Sequence, residues 1–277
     1  MNSSRPRTRC LSNQWRKWSQ TAAISMTNAL VYKLNFLLLT IGPVLVFFLI
    51  QFNLWSSLYE LQGVEEIRGY SQKDMIAYQG WVLIVTLLTQ TYNSRNLAED
   101  IRLGRISAYL IYPFEFWQYH LATFFGQQII QTIIAILSLV SLITLGIIPV
   151  PHLISLLIGL LTAILAGLLW YHLQYAIGLL AFWLEETWTL RVIISIMASF
   201  LSGAVIPLEL FPPWARDLAL LSPFPYLTFI PVKSFLGTTP ALPLPAPCIL
   251  LLWIGVTWLI GRIIWRRGIH LYSAAGM

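Results

Sequence analysis

The sequence lacks the patterns by which a chain commonly holds nucleotides or metal ions. It contains no G-x-x-x-x-G-K-[ST] loop, which excludes ATP binding through a P-loop of its own. It has no H-E-x-x-H or C-x-x-C pair, only two cysteines, and four histidines scattered along the chain. We therefore predict no catalytic residues, no metal site and no cofactor bound by this chain.

Charge is also scarce, and it is concentrated between six apolar stretches. Asp, Glu, Lys and Arg make up 10% of the 277 residues, against 57% for hydrophobic residues. A helix rises about 1.5 Å per residue, so roughly 20 apolar residues cross a hydrocarbon core about 30 Å thick. The sequence predicts an all-α, polytopic membrane protein, with one transmembrane domain over residues 1–277. We predict its six transmembrane helices at residues 34–55, 75–92, 116–148, 153–184, 190–208 and 246–264.

The few basic residues are distributed unevenly between the two sides of this predicted domain. With the N-terminus in the cytoplasm, thirteen of the seventeen Lys and Arg residues lie on the inner side. Because Lys and Arg collect on the cytoplasmic side during insertion, this orientation is favoured. We predict a multi-pass protein of the cytoplasmic (inner) membrane with both termini in the cytoplasm. The net charge of +6 then reflects contact with the lipid bilayer, and no nucleic-acid partner is expected.

Residues 13–33 precede the first predicted span and mix aromatic, aliphatic and charged side chains. Trp15, Trp18, Ala22 and Met26 recur every three or four residues, as on one side of a helix. This spacing predicts an N-terminal interfacial helix in the inner headgroup layer. An ordinary cytoplasmic lead-in to the first span is the alternative.

The inner segment, residues 93–113, lies between the second and third predicted spans. A polar helical stretch, a glycine and a short apolar stretch ending at Pro113 follow one another. A solvated loop with positive-inside arginines accounts for the charges but not for an apolar set at helical spacing. That set consists of Leu97, Ile101, Ile106 and Leu110. We predict that the segment docks on another protein, with the solvated loop as the alternative.

The outer segment, residues 209–245, precedes the last predicted span. Ten of the fifteen prolines lie within residues 207–247, around two apolar pieces at residues 214–221 and 226–236. These pieces are too short to span a membrane and too apolar for a free loop. We predict short re-entrant half-helices shielded by neighbouring spans, with a packed extracellular cap as the alternative.

Polar side chains also occur inside the predicted spans. An amide in hydrocarbon needs a partner, so such residues face protein or water. Interhelical hydrogen bonds and a polar lining for a substrate path both remain open. The candidates for a cavity lining are Gln90, Gln127, Gln131, His172 and Ser202. The spans contain no acid, which ion-driven transporters commonly keep near mid-membrane, so energy for transport would come from elsewhere.

Several short motifs occur in order along these spans. The inner segment contains D-I-x-x-G-x-I-x-x-Y-L-I-x-P, from Asp100 to Pro113. After the fifth span come S-G-x-x-I-P-L-x-L-F-P, from Ser202 to Pro212, then Trp214 and S-P-F at residues 222–224. In this order the chain resembles, over essentially its whole length, the permease subunits of ABC-2 type transporters, the type-2 exporter class.

The resemblance implies roles for both segments. In such permeases the inner segment is a coupling helix that sits in a groove of an ABC ATPase. The ATPase-coupling residues would be Asn96, Glu99, Asp100, Ile101, Arg102, Gly104 and Arg105. The outer segment would form an outer gate with Phe211, Pro212, Trp214, Pro223, Phe224 and Pro225. Two ATPase copies would carry ATP and Mg²⁺, beside a second permease subunit that is either the same or a different chain.

The function favoured at this stage is a permease subunit of an ATP-driven exporter or flippase. Its substrate would be amphipathic: a lipid, peptide, glycan or drug-like molecule. The alternatives are an ATP-independent channel or secondary carrier and, less favoured, an intramembrane enzyme. Glu185 and Glu186 form the only acidic pair at a span end, and no nucleophile with a base accompanies them. We therefore expect no enzymatic site on this chain.

Overall fold

The computed structural model describes residues 7–31, 33–89, 93–111, 115–240 and 242–272. Helices dominate this part of the chain, and one small antiparallel hairpin pairs Glu66 with Ser71 and Ile67 with Tyr70. The elements in chain order are α1 (Arg7–Val31), α2 (Lys33–Gln62), β1 (Glu66–Ile67), β2 (Tyr70–Ser71), α3 (Gln72–Thr89), α4 (Asn93–Arg102), α5 (Ile106–Ile111), α6 (Phe116–Thr144), α7 (Leu153–Leu179), α8 (Trp188–Leu201), α9 (Pro213–Leu220), α10 (Phe229–Leu236) and α11 (Ala246–Gly268).

Four helical stretches in the described part of the chain are long and apolar enough to cross a membrane. They are Phe36–Gln62, Phe116–Thr144, Leu153–Phe182 and Ala246–Gly268. Large apolar side chains such as Leu38, Ile133 and Leu157 are exposed on their outer faces. Lipid rather than water is the solvent that suits such faces. These features identify an all-α membrane protein.

Two predicted spans differ from these four helices. The first is helix α3, which begins at Gln72 and carries Lys73, Asp74 and Gln79, but which is enclosed by α2, α6, α7 and α10. A helix covered by protein on most sides does not need a lipid-compatible surface. Lys73 and Asp74 lie exposed in the first turn of α3, and Gln79 is the one of these three polar residues that the surrounding helices bury.

The second is helix α8, which ends at Leu201 and not at residue 208 as predicted. Its 14 residues extend about 21 Å, less than the hydrocarbon thickness. Gly203 follows with a positive φ of 77°, and the buried Tyr78 hydroxyl donates a hydrogen bond of 2.7 Å to the Gly203 carbonyl. A left-handed residue cannot continue a right-handed helix, so the chain turns here and runs on without helix.

Glycines allow α7 to approach three other elements closely. A Cβ on Gly159 would collide with the ring of Phe235 in α10, and one on Gly178 with Leu97 in α4. A Cβ on Gly167 would lie 2.9 Å from the Leu88 carbonyl oxygen in α3. Small residues at helix contacts permit this close packing within membranes. Helix α7 therefore connects the inner segment, α3 and the outer segment.

Helix α1 packs along the inner half of α6. The Ser25 hydroxyl donates a 3.1 Å hydrogen bond to the Thr123 carbonyl, and the Trp18 and Trp117 rings lie 6.4 Å apart. Gly126 touches the backbone of Ala22, leaving no space for a side chain. Residues 13–31 of the predicted helix thus belong to the longer α1, which is held on α6, whereas Lys33 begins α2. Its position in the inner headgroup layer stays a prediction.

Candidate functional site

The inner segment consists of α4, a tight turn and α5. Gly104 adopts a φ of +71° in the turn. The backbone amide of Arg105 donates to the Asp100 carbonyl over 2.9 Å, and that of Gly104 donates to the Ile101 carbonyl over 3.2 Å. This pair of bonds around a left-handed glycine is the Schellman C-cap. Gly104, predicted to be a coupling residue, therefore ends α4 and turns the chain into α5.

The apolar side of the inner segment is buried within the chain. Leu97, Ile101 and Ile106 are 1%, 5% and 0% exposed. They join an inner cluster whose other buried members are Phe116, Phe124, Tyr171, Tyr175 and Leu179. The chain itself therefore covers this apolar set, and docking of the segment on another protein stays a prediction. Helical periodicity shows that one side is to be buried, but it does not show which chain covers it. The Leu110 side chain lies outside the described part of the structure.

Asp100 also faces inward. Its carboxylate accepts a 3.0 Å hydrogen bond from the Tyr109 hydroxyl and lies 3.4 Å from the Arg105 guanidinium. Burial raises the pKa of the Asp100 carboxyl, and the Tyr109 and Arg105 contacts oppose that rise. Burial and the neighbouring Asp100 together raise the pKa of Tyr109, so its hydroxyl remains a donor. Asp100 was predicted to contact an ATPase, but it holds α4 and α5 together from inside.

The exposed side of the inner segment is charged around one apolar side chain. Glu99, Arg102 and Arg105 are about half exposed, and Leu103 at the tip of the turn is 51% exposed. Arg102 donates a 2.6 Å ion-paired hydrogen bond to Glu186, and Arg105 lies 3.4 Å from Glu99. Glu99, Arg102, Leu103 and Arg105 form what we call the inner face. Asn96 belongs to α4, and its side chain lies outside the described part of the structure.

Leu103 belongs to the inner face but was missed in the sequence. The available signal was its position beside Gly104, where a helix that ends in a left-handed glycine exposes its last side chain. Glu186, noted in the sequence only as one of an acidic pair at a span end, was missed for a different reason. It lies 84 residues from its partner Arg102, a distance that no local pattern spans.

The two short helices of the outer segment have opposite environments. Helix α10 is buried against α7 and α3, with Phe229, Ile230 and Phe235 nearly inaccessible. Helix α9 exposes Trp214 and Leu218. Among the other predicted gate residues, Phe224 and Pro225 are buried in the turn before α10, Phe211 and Pro223 are half-buried, and Pro212 is exposed. Re-entry of these helices into the outer leaflet stays a prediction.

An ion pair between a buried lysine and a partly exposed glutamate connects two parts of the outer segment, and a tyrosine of the β-hairpin bonds to it. The ammonium of Lys233 in α10 lies 2.7 Å from a carboxylate oxygen of Glu209. The Tyr70 hydroxyl donates a 3.1 Å hydrogen bond to the other Glu209 oxygen, and the same ring lies 4.9 Å from the Lys233 ammonium. Burial, reinforced by Glu209, raises the pKa of Tyr70 and keeps its hydroxyl protonated.

The β-hairpin adds further bonds to this cluster. The Arg68 guanidinium donates to the carbonyls of Leu210 and Phe211 over 3.2 and 3.3 Å. The Tyr59 hydroxyl donates to the Tyr70 carbonyl over 2.7 Å and holds the hairpin on α2. Sequence reasoning placed Lys233 among the outer basic residues and missed its pairing with Glu209. The signal was a single lysine within an otherwise apolar piece of chain.

A cavity of about 310 Å³ lies between α2, α3, α7, α8, the chain just after α8 and the turn before α10. Six of its lining residues carry hydroxyl groups, and the lining has no charged side chain. The lining residues are Pro43, Val44, Phe47, Thr86, Thr89, Trp170, Ser195, Ala198, Ser199, Ser202, Ala204, Leu227 and Thr228. Such a lining suits an apolar molecule that carries neutral hydrogen-bonding groups.

Of the described residues that were predicted to line a cavity, only Ser202 lines this cavity. Gln131 is buried, and its amide nitrogen has no partner among the described residues. Gln127 is half-buried, with its amide oxygen likewise unpartnered there. His172 is buried beside the Tyr171 ring at 5.2 Å. Gln90 lies outside the described residues.

Comparison with known protein families gives a match that covers most of the chain. A search of curated proteins finds no match. A family model described as "ABC-2 family transporter protein" matches residues 38–276, from within α2 through the inner and outer segments and past the end of α11. The match extends over far more than half of the chain and agrees with its apolar helices. This chain is a member of the ABC-2 family of transporter proteins.

Proposed function

We propose that this chain is the transmembrane permease subunit of an ATP-driven exporter or flippase of the inner membrane. Its family membership supports pairing with an ABC ATPase. In the proposed complex, two ATPase copies hold ATP and Mg²⁺, and a second permease, of the same or a different chain, completes the transport path. Six spans cross the membrane, including the enclosed α3 and the short α8, and both termini are cytoplasmic. The chain itself performs no chemical step.

The single observation that supports this function best is the construction of the inner segment. Its apolar side is buried on α6, α7 and the turn after α7, while Glu99, Arg102, Leu103 and Arg105 point outward. A charged surface around one apolar side chain can bind a partner protein. Because this surface packs on the long apolar helices, movement of the partner can displace those helices. The salt bridges of this surface are exposed and contribute little to folding stability, about 0–1 kcal/mol each.

The packing of the inner segment provides a route for such a displacement. Leu97 fills the space beside Gly178, so displacement of α4 bears directly on α7. Helix α7 in turn contacts α3, α10 and α11. ATP must favour the arrangement with closed ATPases over the open one, since only a difference in binding free energy shifts a conformational population. The proposed result is alternating access, in which the path opens to one side at a time.

The hydroxyl-lined cavity supports an amphipathic substrate. Its apolar wall accommodates hydrocarbon, and hydroxyls such as those of Thr86, Ser199 and Thr228 bond neutral polar groups. An ion would need compensating charge in a membrane-embedded site, and the lining residues of this cavity are all uncharged. We therefore favour a substrate with a long apolar part and an uncharged polar part in this cavity.

The test of this function is the substitution Leu103→Asp. We expect it to reduce stimulation of ATP hydrolysis at least tenfold, because a carboxylate replaces the apolar centre of the inner face. The measurement is the rate of ATP hydrolysis by an ABC ATPase that co-purifies with this chain, assayed alone and with the permease in nanodiscs. Co-elution of the two proteins on size exclusion gives an independent reading of binding.

The matched control for this test is Leu61→Asp. Leu61 is 86% exposed near the end of α2, at the opposite end of the bundle. The variant places the same charge on an exposed leucine away from the inner face, so we expect normal stimulation. Equal stimulation by the wild type and Leu103→Asp would contradict the inner face as the docking surface. Transport by the purified permease without any ATPase would contradict the proposed function as a whole.

A further inference from the structure

The short segment that follows the last helix, residues 269–272, lies against the inner segment. The Tyr272 hydroxyl donates a 2.6 Å hydrogen bond to the Gly104 carbonyl, 168 residues away in the chain. This carbonyl belongs to the left-handed residue of the turn, directly beside the exposed Leu103. The bond therefore ends on the part of the inner segment that a partner would push.

Two further contacts bring the end of α11 to the same place. The Trp265 ring stacks on Phe116 with centroids 4.7 Å apart and an angle of 13° between the planes. Gly268 lies against the Phe182 ring so closely that a Cβ would collide with it. Trp265 and Tyr272 pack on the inner cluster, which also holds Leu97 and Ile106. Each contact joins α11 to the cluster that supports the inner segment.

These contacts attach the inner segment to a second long helix, α11, in addition to α7. The attachment to α7 runs from Leu97 to Gly178, while the turn at residues 103–105 projects beyond it. Ile101 before the turn and Ile106 after it are buried in the inner cluster, so only the projecting residues between them can bend when pushed. The hydrogen bond from Tyr272 to the turn itself resists that bending, and backbone hydrogen bonds from Tyr272 to Ile269 and from Ile269 to Trp265 connect Tyr272 to α11. Helix α11 also packs along α7, so the inner segment and both helices form one connected body.

We propose that Tyr272 is a positioning residue that ties the turn of the inner segment to α11, so that displacement by an ATPase moves the last span together with the segment. This inference rests on the proposed function and adds a role for the segment that follows α11. The inference is supported by a continuous set of contacts between the inner face and a spanning helix. Tyr272 acts through Gly104 and does not itself belong to the inner face.

The test measures a distance inside the permease with and without its partner. Spin labels are attached through Ser107→Cys in α5 and His270→Cys after α11, both exposed positions, in a chain with Cys10→Ser and Cys248→Ser. The Ser107 hydroxyl also donates to the Gly104 carbonyl, over 2.9 Å, so Ser107→Cys is present in every chain compared and only the Tyr272 hydroxyl differs between them. With Tyr272 present, we expect one narrow distance distribution that stays in place when the ATPase, ATP and vanadate are added. With Tyr272→Phe, we expect a broader distribution that shifts on nucleotide addition, together with a several-fold loss of ATPase stimulation.

The control variant is Tyr226→Phe. It removes another tyrosine hydroxyl that faces a backbone carbonyl, that of Leu220 on the outer side, so both readings should match the wild type. An unchanged melting temperature for Tyr272→Phe establishes that the variant folds. A narrow, unshifted distribution in Tyr272→Phe overturns the inference, and so does undiminished stimulation, even when Leu103→Asp behaves as proposed. If the wild-type permease neither binds nor stimulates the ATPase, the proposed function fails and the inference fails with it.

Discussion

Glu209→Gln is expected to lower the free energy of unfolding by about 3 kcal/mol, because it leaves the Lys233 ammonium buried without a counter-charge. The Lys233 side chain is 10% exposed, whereas that of Glu209 is 32% exposed. Lys233→Met leaves a carboxylate that water still reaches, so we expect a smaller loss of about 1–2 kcal/mol. The measurement is chemical and thermal unfolding of the purified chain in detergent micelles.

The double variant Glu209→Gln with Lys233→Met distinguishes the loss of the ion pair from the loss of side-chain packing as the cause of destabilisation. Replacing both members of a buried ion pair by neutral groups of similar size is often nearly neutral, so most of the stability should return. As a control, Asp217→Asn breaks the exposed Arg216–Asp217 pair, whose atoms lie 3.1 Å apart, and should change stability by about 0–1 kcal/mol. Equal losses for Glu209→Gln and Asp217→Asn would show that the Glu209–Lys233 pair does not hold the outer segment.

Gly126→Ala is expected to lower the free energy of unfolding by about 1–3 kcal/mol, the usual cost of overpacking. The added methyl group would collide with the Ala22 carbonyl, which is backbone and cannot rotate away. Gly126→Leu should exceed this cost and release α1 from α6. Melting temperature in micelles reports the loss of stability, and limited proteolysis within residues 7–31 reports the release of α1.

Gly255→Ala is the matched control for the α1–α6 contact. Gly255 is an exposed glycine within α11, and a Cβ there would meet nothing within 4 Å in the described part of the chain. Alanine favours helix over glycine, so this variant should be unchanged or more stable, by up to about 1 kcal/mol. If Gly126→Ala matched Gly255→Ala in stability and protease resistance, the close approach of α1 and α6 would be refuted.

The inner segment illustrates how far sequence reasoning could go. Its position between two apolar runs, its helical character and the turn at Gly104 were predicted from local patterns. Its orientation was not, because Leu97 and Ile101 would show the same spacing whether buried by this chain or by another. Asp100 was likewise assigned to the surface, since nothing near it in the sequence reveals that Tyr109 and Arg105 enclose it.

The outer segment shows the same division. The density of prolines and the length of the apolar pieces predicted short helices there, and the structure has α9 and α10 in this stretch. The contrast between the buried α10 and the exposed α9 was not predicted. Both pieces are apolar, and composition alone cannot rank them by depth when the neighbours that cover them, α3 and α7, lie far away in sequence.

By itself, the sequence determined the class of protein: long apolar runs with charge between them require a membrane, because unpaired charge is costly in hydrocarbon and apolar side chains are costly in water. These are properties of consecutive residues. Only the tertiary structure decided which side chains meet across the chain, such as Glu209 with Lys233 in the outer segment and Tyr272 with Gly104 in the inner one. Such pairs arise from the packing of distant helices, and that packing is a property of the whole chain.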